Sequence, residues 1–586
     1  MQTVYSDITS VRILVALLKE HGIRRAVLAP GGSDIPIVHS LETDPYFSCH
    51  SVVDERSLVY FAMGVSQQTG EPVACVCTSG TAVSNFLPGM TEAFYQDVPL
   101  VAITADKDPR RTGQLELQKI DQAGILSRVT RADVDLPLVS SKEDARYCAR
   151  LVNEALVELR HHGGGPVQIN IPIVGDTATY TSDPLPRVRP LSIHEVENND
   201  SWLPLVKTLG QAKRILVVAG QEPSCDQATV DAINRFTAKY NCCVSVETVS
   251  NLACERSVRT YPVTEMLSSA LPAGLMPDVV VSFGNNLSSY KLKPFIRGAA
   301  DSVTHWQIDP AGRPRDMFDC LTDVFECSPR YFFEYFAEHA ESGSINDGGY
   351  LAAWSAEHAK LKIGGFEFSN FYVAQELAKL IPAGSILHCA ILNSTRVMQF
   401  FDLDPTVRVY SNIGALGIDG CLSTFMGQAA MTDGLAFLLI GDLSFFYDMN
   451  AAGLRDVHDN VRIVLLNNGG GSEFHFFMGK KNIPTIDQYI CAEHSKVARG
   501  WLTSLGYEYY AAESKDDLAA ALPDFASADG GPKVLEVFTG MEHDADLANE
   551  FYAAAVPKNV KTELKKAAKN VLSPKQRTAL KRALGR

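Results

Sequence analysis

Short apolar runs alternate along this chain with stretches whose apolar residues recur at helical spacing. Near the start, residues 8–20 have helical spacing, whereas the runs 26–29, 73–77 and 100–104 are typical of buried strands. Strands that alternate with helices predict a parallel sheet with helices on both faces. Ligands of such sheets bind at the carboxyl ends of the strands, so the loops there are the first places to look for function.

The same alternation of strand-like and helix-like segments occurs twice more along the chain. After a proline-containing linker at 184–190, a second unit has predicted strands at 215–219 and 279–283. A third unit follows Gly364-Gly365, with strands predicted at 386–389, 408–410, 436–440, 463–466 and 534–537. We therefore predict an α/β protein with three doubly wound parallel-sheet domains, at 1–183, 191–345 and 366–545, followed by a tail at 557–586. The first and third units are compatible with a shared fold.

Composition narrows the functional classes. A chain of 586 residues exceeds one ordinary core, and its 46% apolar content is typical of a folded protein. No stretch approaches the roughly 18 apolar residues of a membrane span, and the start lacks a basic region followed by an apolar one, so we expect a cytoplasmic protein. The net charge of −15 argues against a nucleic-acid partner. Thirteen cysteines without C-x-x-C spacing favour buried thiols over zinc ligands or disulfides.

Two apolar runs end in residues that suit a hard cation. Gly441-Asp442 follows the run 435–440, and Asn467-Asn468 follows the run 461–466. The Asp442 carboxylate, the Asn468 amide and a nearby glycine carbonyl should therefore face one place, and such oxygens suit Mg²⁺ with substrate phosphates. Taken alone, Gly441-Asp442 is explained as a turn and Asn467-Asn468 as a helix cap. The pair together indicates an anchor for a diphosphate.

Glu55 is the second candidate for chemistry. It lies where Ser51-Val52-Val53 gives way to the helix-like stretch 58–65. Judged on local sequence, an acid there is explained as a charge that stabilises a helix N-terminus. The alternative is a carboxyl group that shuttles a proton. The small and hydroxyl residues at 78–85 would let the backbone approach a flat ring closely.

Taken in their order along the chain, these motifs resemble those of a known enzyme family. Gly441-Asp442 and Asn467-Asn468 resemble the thiamin diphosphate motif of 2-oxo-acid decarboxylases and carboligases. With the segments at 54–57, 77–82, 99–106, 118–122, 410–412 and 417–420, the chain is similar over about residues 1–545 to the 2-succinyl-5-enolpyruvyl-6-hydroxy-3-cyclohexene-1-carboxylate (SEPHCHC) synthases of menaquinone biosynthesis. The resemblance implies pyrimidine, central and diphosphate domains. It also implies a homodimer or homotetramer with each active site between two subunits.

The resemblance implies roles for individual residues. Glu55 would activate the pyrimidine ring of the cofactor, Ile418 would bend the cofactor, and Gln118 matches an active-site glutamine of the family. The Mg²⁺ ligands would be Asp442, Asn468 and the carbonyl of Gly470. The remaining cofactor contacts would come from Thr81, Asn85, Gly441, Leu443 and Ser444.

Several substrate positions depart from the family pattern. Ser33 and Ile413 occupy the positions of two family arginines, and Lys107 stands in place of a third. Arginine binds both oxygens of a carboxylate, which neither serine nor isoleucine can do. A site for 2-oxoglutarate and isochorismate, which both carry more than one carboxylate, would therefore lose several charge-assisted hydrogen bonds.

The other substrate candidates lie in altered motifs. Arg396 ends an Asn-Ser-Thr-Arg run that is shorter than the family's, and Lys291 approximates the family's central-domain lysine with a one-residue offset. Glu473 is an acid where the family is apolar; it would repel a dianion unless it serves as an acid-base group for a different substrate. Phe474 and His475 beside it are expected to contact the substrate.

The sequence leaves three candidate functions open. The first is a Mg²⁺-dependent decarboxylase and carboligase that transfers the fragment left by a 2-oxo acid to an acceptor, with a donor or acceptor other than 2-oxoglutarate and isochorismate. The second is an authentic SEPHCHC synthase with a rearranged pocket. The third is a cofactor-binding scaffold without catalysis, which an intact Glu55 argues against.

The carboxyl-terminal tail has the opposite charge from the body. Residues 557–586 hold ten Lys or Arg residues and one acid, Glu563, so the tail carries about +9 and the rest of the chain about −24. A basic segment with apolar residues at helical spacing suits an anionic membrane surface or an acidic protein partner. The alternative is a solvated helix on the acidic body. The apolar positions are Val560, Leu564, Ala567, Ala568, Val571 and Leu572.

Overall fold

The computed structural model describes residues 2–174, 179–188, 190, 202–313, 315–340, 346–477 and 483–554, and the basic tail lies outside them. Three six-stranded sheets, parallel throughout and flanked by helices, confirm the predicted α/β class. None of the helices in this described part has both the length and the apolar content to span a bilayer. The domain boundaries at 1–183, 191–345 and 366–545 stay predictions.

The first sheet has the strand order β3-β2-β4-β5-β7-β6. Its strands are β2 (Arg25–Leu28), β3 (Ser48–Ser51), β4 (Val73–Cys77), β5 (Leu100–Asp106), β6 (Asp133–Asp135) and β7 (Val167–Pro172). A separate antiparallel pair joins β1 (Tyr5–Ser6) to β8 (Tyr180–Thr181). The helices are α1 (Thr9–Glu20), α2 (Ile35–Glu42), α3 (Glu55–Thr69), α4 (Thr81–Tyr95) and α5 (Lys142–Val157).

The second sheet has the order β11-β10-β9-β12-β13-β14, in which the crossovers reverse between β9 and β12. Its strands are β9 (Ile215–Ala219), β10 (Cys243–Val246), β11 (Ser257–Arg259), β12 (Val279–Phe283), β13 (Thr304–Ile308) and β14 (Leu321–Phe325). The helices are α6 (Leu203–Gln211), α7 (Gln227–Tyr240), α8 (Thr260–Leu267), α9 (Leu292–Arg297), α10 (Pro329–Glu338) and α11 (Gly349–Ala359).

The third sheet, β16-β15-β17-β18-β20-β19, repeats the relative strand order of the first. Its strands are β15 (Ile386–Cys389), β16 (Arg408–Tyr410), β17 (Ala436–Gly441), β18 (Val461–Asn467), β19 (Glu508–Ala512) and β20 (Lys533–Phe538). The helices are α12 (Asn370–Ala378), α13 (Asn393–Met398), α14 (Cys421–Ala429), α15 (Asp442–Tyr447), α16 (Ser472–Phe477), α17 (Ile486–Tyr489), α18 (Arg499–Ser504), α19 (Lys515–Phe525) and α20 (Met541–Ala554).

The first and third sheets share one apolar core, in which α3 packs against α14. Two glycines let these helices approach closely. A Cβ on Gly64 would lie 2.0 Å from the Thr424 carbonyl oxygen, and one on Gly427 would lie 2.0 Å from the Phe61 carbonyl oxygen. No larger residue fits at either position without moving a helix, so the glycines fix how the two candidate site regions sit relative to each other.

Glu92 of α4 also ties the first sheet to the third. Its carboxylate accepts the N–H groups of Gly414 (2.9 Å) and Ala415 (2.7 Å), which precede Ile418. The side chain is 1% exposed, and burial raises its pKa to about 7. The carboxyl group therefore positions the turn that carries Ile413 and Ile418.

We expect the stability of the protein to fall as the pH rises from 5 to 8, in part through Glu92. The pKa of Glu92 is higher in the folded chain than in the unfolded chain. The contribution of Glu92 to stability is therefore complete at a pH below its pKa in the unfolded chain, and it is lost as the pH rises through about 7. Glu92→Gln should reduce the change in unfolding free energy over this range by about 2 kcal/mol. Denaturant unfolding at several pH values measures this change in unfolding free energy. Glu20→Gln is the control, since Glu20 is exposed. The same dependence of unfolding free energy on pH in Glu92→Gln as in the wild-type protein would argue against this role.

Candidate functional site

Asp442 lies at the predicted place, the carboxyl end of β17 and the first residue of α15. One carboxylate oxygen accepts the N–H groups of Gly469 (2.8 Å) and Gly470 (3.0 Å), and the other accepts the N–H of Leu443 (2.7 Å). The residue is 3% exposed, and burial raises the pKa of its carboxyl group to about 6. The two strand ends that the sequence paired are therefore joined through this side chain.

Asn468 supplies an amide oxygen with no protein partner. Its Nδ2 donates to Asp544 Oδ2 (3.2 Å), whereas its buried Oδ1 has no hydrogen-bond partner among the residues that the structure describes. Gly470 has φ +153°, and a Cβ there would lie 2.8 Å from the Cys491 carbonyl oxygen. A carboxylate, an unsatisfied amide oxygen and the backbone carbonyl of a glycine fit the oxygen ligands of Mg²⁺.

Asp544 is a residue that the sequence prediction missed. It lies in the first turn of α20, just after β20, and so at the same sheet edge as Asp442 and Asn468. Besides the Asn468 amide, it accepts the N–H of Asn370 (3.1 Å) and the hydroxyl of Thr539 (2.6 Å). The sequence could have indicated this residue, because Asp544 is an acid that follows β20, the strand next to β18 at this edge of the sheet. Its effect is to fix which way the Asn468 amide points.

We expect Asp544→Ala to weaken Mg²⁺ binding about 10- to 100-fold, because residues that orient metal ligands have effects of this size. The measurement is a Mg²⁺ titration of thiamin diphosphate binding, followed by calorimetry. Asp546→Asn is the matched control, since Asp546 is an exposed acid on the same helix. Equal Mg²⁺ affinity in the Asp544 variant and the wild-type protein would contradict this role.

The segment around Ile418 is held to the same helix as Asp442. The Ser444 hydroxyl donates to the Ile418 carbonyl oxygen (2.8 Å), and the Ile418 side chain packs against the core shared by the first and third sheets. Gly441 ends β17, and a Cβ there would meet nothing within 4 Å. Gly441, Leu443, Ser444 and Ile418 thus lie beside Asp442, as the resemblance implies.

Glu55 begins α3 and is half-buried. The helix is already capped by Asp54, whose carboxylate accepts the N–H groups of Arg56 (2.9 Å) and Ser57 (3.2 Å). Glu55 is therefore not needed as the cap. Its Oε2 instead accepts a hydrogen bond from Asn85 Nδ2 (3.4 Å) on α4, the helix that begins at exposed Thr81. Glu55, Thr81 and Asn85 form one group at the carboxyl edge of the first sheet.

Ser33, Lys107 and Gln118 line one cleft of about 420 Å³ at this edge. The ammonium group of Lys107 donates to the Leu117 carbonyl oxygen (2.5 Å), so it supports the loop that presents Gln118. Gln118 has φ +54° and is exposed, and its backbone lies 3.2 Å from where a Cβ on Gly80 would be. The structure thus brings these three candidate substrate-binding residues to one cleft, although the Lys107 ammonium is engaged by the backbone.

Asp34, next to Ser33, was also missed. It is fully buried, and neither carboxylate oxygen has a partner among the described residues. Burial, together with the charge of Glu55, raises its pKa to about 6. Where the family has an arginine, this chain therefore has a neutral hydroxyl followed by an acid, an arrangement that does not favour an anionic substrate group.

A second cavity of about 240 Å³ lies between the second and third sheets and is lined by Arg396 and Ile413. Lys293 and Arg297 of α9 also line it, whereas Lys291 is exposed at the start of that helix and its N–H is bound by Glu265 (2.9 Å). The Lys293 ammonium donates to Asn286 Oδ1 (2.6 Å), and burial lowers its pKa. Lys293, two positions beyond the predicted residue, is the lysine at this cavity.

Arg396 forms an ion pair with Glu473, and both side chains are nearly buried. The guanidinium group also lies over the ring of Tyr290, 4.4 Å from its centre. Of the two neighbouring candidates, Phe474 is partly exposed, whereas the buried His475 is turned towards Asp487, with 2.6 Å between Nε2 and Oδ1. The structure thus joins two residues that the sequence considered separately, and the pair leaves Arg396 less able to bind a substrate carboxylate.

Comparisons with known proteins show what this chain is similar to. Residues 8–125 match the model of the thiamine pyrophosphate enzyme, N-terminal TPP binding domain. The chain is 35% identical to a SEPHCHC synthase of Bacteroides thetaiotaomicron, over 94% of this chain and 99% of the relative. It is 35% identical to that of Phocaeicola vulgatus, over 95% and 100%, and 30% identical to that of Desulfotalea psychrophila, over 88% and 96%.

Proposed function

We propose that this chain, which belongs to the family of thiamin diphosphate-dependent SEPHCHC synthases, decarboxylates a 2-oxo acid other than 2-oxoglutarate and transfers the remaining fragment to an acceptor. Asp442, Asn468 and the Gly470 carbonyl would hold Mg²⁺ and with it the cofactor's diphosphate. Thiamin diphosphate supplies the electron sink for loss of CO₂. Glu55 would exchange a proton with the pyrimidine ring, and Gln118 would contact the substrate.

We further propose that two subunits complete each site, with Glu55 of one subunit facing Asp442 of a second copy. The family resemblance supports this arrangement. So do Leu115 and Leu117, which are 99% and 79% exposed in the loop before Gln118. Two exposed leucines beside the cleft are suited to burial against another chain.

The observation that carries the substrate proposal is the Arg396–Glu473 ion pair. A substrate carboxylate that takes the guanidinium N–H group now bound by Glu473 must displace that acid, and leaving one member of a nearly buried pair without its partner costs about 3–5 kcal/mol. Ser33 and Ile413 provide no compensating charge. A 2-oxo acid without a second carboxylate avoids this cost, so we propose such a donor.

A second candidate is the synthase activity itself, with 2-oxoglutarate and isochorismate. The specific observation in its favour is that Lys293 and Arg297 line the same cavity as Arg396. Two cations that the sequence prediction did not place there could compensate for the lost arginines. The two candidates differ in whether Arg396 is available to the substrate.

Glu473→Gln tests this difference. We expect it to raise kcat/KM for 2-oxoglutarate, relative to a monocarboxylic 2-oxo acid, about tenfold or more, because the released guanidinium can form a charge-assisted hydrogen bond worth about 1.5–3 kcal/mol. The measurement is the rate of CO₂ release from each acid. Glu493→Gln is the matched control, since Glu493 is an exposed acid in the same region. An unchanged ratio in the Glu473 variant would remove the support for a pocket closed by this pair.

A further inference from the structure

Three side chains with different donor atoms meet beside the diphosphate anchor. They are His475 on α16, Asp487 on α17 and Cys491 just after α17, and their ligand atoms all lie within 4.8 Å of one another. His475 and Cys491 are buried, and Asp487 is half-buried. The cluster is separate from Asp442 and Asn468, and the proposed reaction requires none of its three groups as a metal ligand.

The donor set identifies the class of ion. Mg²⁺ and Ca²⁺ bind through oxygen atoms, whereas Zn²⁺ accepts imidazole nitrogen, carboxylate oxygen and thiolate sulfur together, usually in a four-coordinate site. The geometry points to a second metal site in this protein, which binds Zn²⁺ through His475 Nε2, a carboxylate oxygen of Asp487 and the sulfur of Cys491. A water molecule would supply the fourth ligand.

The hydrogen bond between His475 and Asp487 is the form that the pair takes without metal. The Cys491 side chain packs in a small apolar cluster with Ile486 and Met541. Binding Zn²⁺ requires Cys491 to release its proton to solvent and His475 Nε2 to be unprotonated, so the affinity should fall as the pH falls. No electron is transferred in this step.

The backbone around Cys491 connects the cluster to the cofactor anchor. The Cys491 carbonyl oxygen accepts the N–H of Gly471 (2.7 Å), and its own N–H donates to the Ile486 carbonyl oxygen (2.8 Å). The same carbonyl oxygen lies against Gly470, the expected source of a Mg²⁺ ligand. A Zn²⁺ ion here would therefore hold α16 and α17 together next to Gly470.

The test uses the full-length protein in the presence of thiamin diphosphate and excess Mg²⁺, so that the Asp442 site is occupied. After treatment with a chelator and titration with Zn²⁺, we expect one bound equivalent per chain by elemental analysis. Cys491→Ser and Asp487→Asn should each weaken binding at least tenfold, as judged against a competing metal indicator. The matched control is Cys148→Ser, a buried cysteine of α5, which should keep the wild-type affinity.

Co²⁺ in place of Zn²⁺ gives a second readout that needs no variant. A bound thiolate produces an intense near-ultraviolet charge-transfer band, which we expect in the wild-type protein. Less than stoichiometric Zn²⁺, equal affinity in both ligand variants, or a Co²⁺ complex without the thiolate band would each overturn the proposal. If the variants fail to fold, the Zn²⁺ stoichiometry and the Co²⁺ spectrum of the wild-type protein test the proposal. Because none of these measurements is of catalysis, the result is independent of the proposed reaction.

Discussion

Glu55→Gln is expected to lower kcat for CO₂ release by about 10²- to 10⁴-fold, the usual contribution of a positioned acid-base group. Glutamine has nearly the same shape and can still accept a hydrogen bond from Asn85, but it cannot exchange a proton with the pyrimidine ring. Asp54 already caps α3, so the helix should form normally in the variant. Cofactor affinity and thermal stability should therefore change much less than the rate.

The control for Glu55 is Glu143→Gln, because Glu143 is also an acid in the first turn of a helix, α5, and is exposed. If Glu55 served only to stabilise a helix N-terminus, both variants would lose about 0.3–1 kcal/mol of stability and neither would lose activity. Full activity in Glu55→Gln, measured at saturating cofactor, would contradict the proposed proton exchange.

Asp442→Ala is expected to abolish Mg²⁺-dependent binding of thiamin diphosphate, with an affinity loss of about 100-fold or more. The substitution removes the carboxylate that we propose as a metal ligand. It also leaves the buried N–H groups of Gly469 and Gly470 without their acceptor, at a cost of about 1–3 kcal/mol each. The segment that carries Asn468 should therefore lose its position as well.

Calorimetric titration with thiamin diphosphate at several Mg²⁺ concentrations measures this effect. Asp433→Asn, an exposed acid before β17, is the control and should bind normally. The isosteric Asp442→Asn separates the two causes, because it fills the same space but is a weaker metal ligand. Wild-type, Mg²⁺-dependent affinity in both Asp442 variants would show that the metal binds elsewhere.

Several central strands were predictable because burial on both faces makes them continuous apolar runs, whereas β7, β10 and β13, which contain polar residues, were not predicted. The predictions at 73–77, 215–219 and 279–283 coincide with β4, β9 and β12. Most edge strands were missed, since their polar residues resemble loops, although the edge strand β16 coincides with the prediction at 408–410. Examples of missed edge strands are β6, Asp133–Asp135, and β14, Leu321–Phe325, which have one unpaired edge and partly exposed side chains.

The cofactor half of the site was predictable because each residue follows a strand end, so its place depends mainly on sheet topology. Asp442 and Asn468 needed only parallel strands to meet. The Arg396–Glu473 pair depends on a contact between α13 and α16 that no local pattern encodes. The role of Lys291 stays a prediction: α9 begins at Leu292, so Lys291 precedes the helix, whereas Lys293 lines the cavity.

The most direct test of the proposed function is the release of CO₂ by the wild-type protein from a panel of 2-oxo acids, with thiamin diphosphate and Mg²⁺ present. Each acid is assayed alone and with isochorismate as acceptor, and kcat/KM is compared across the panel. We predict the highest value for a 2-oxo acid that lacks a second carboxylate. The highest value for 2-oxoglutarate with isochorismate, or no CO₂ from any acid, would contradict the proposal.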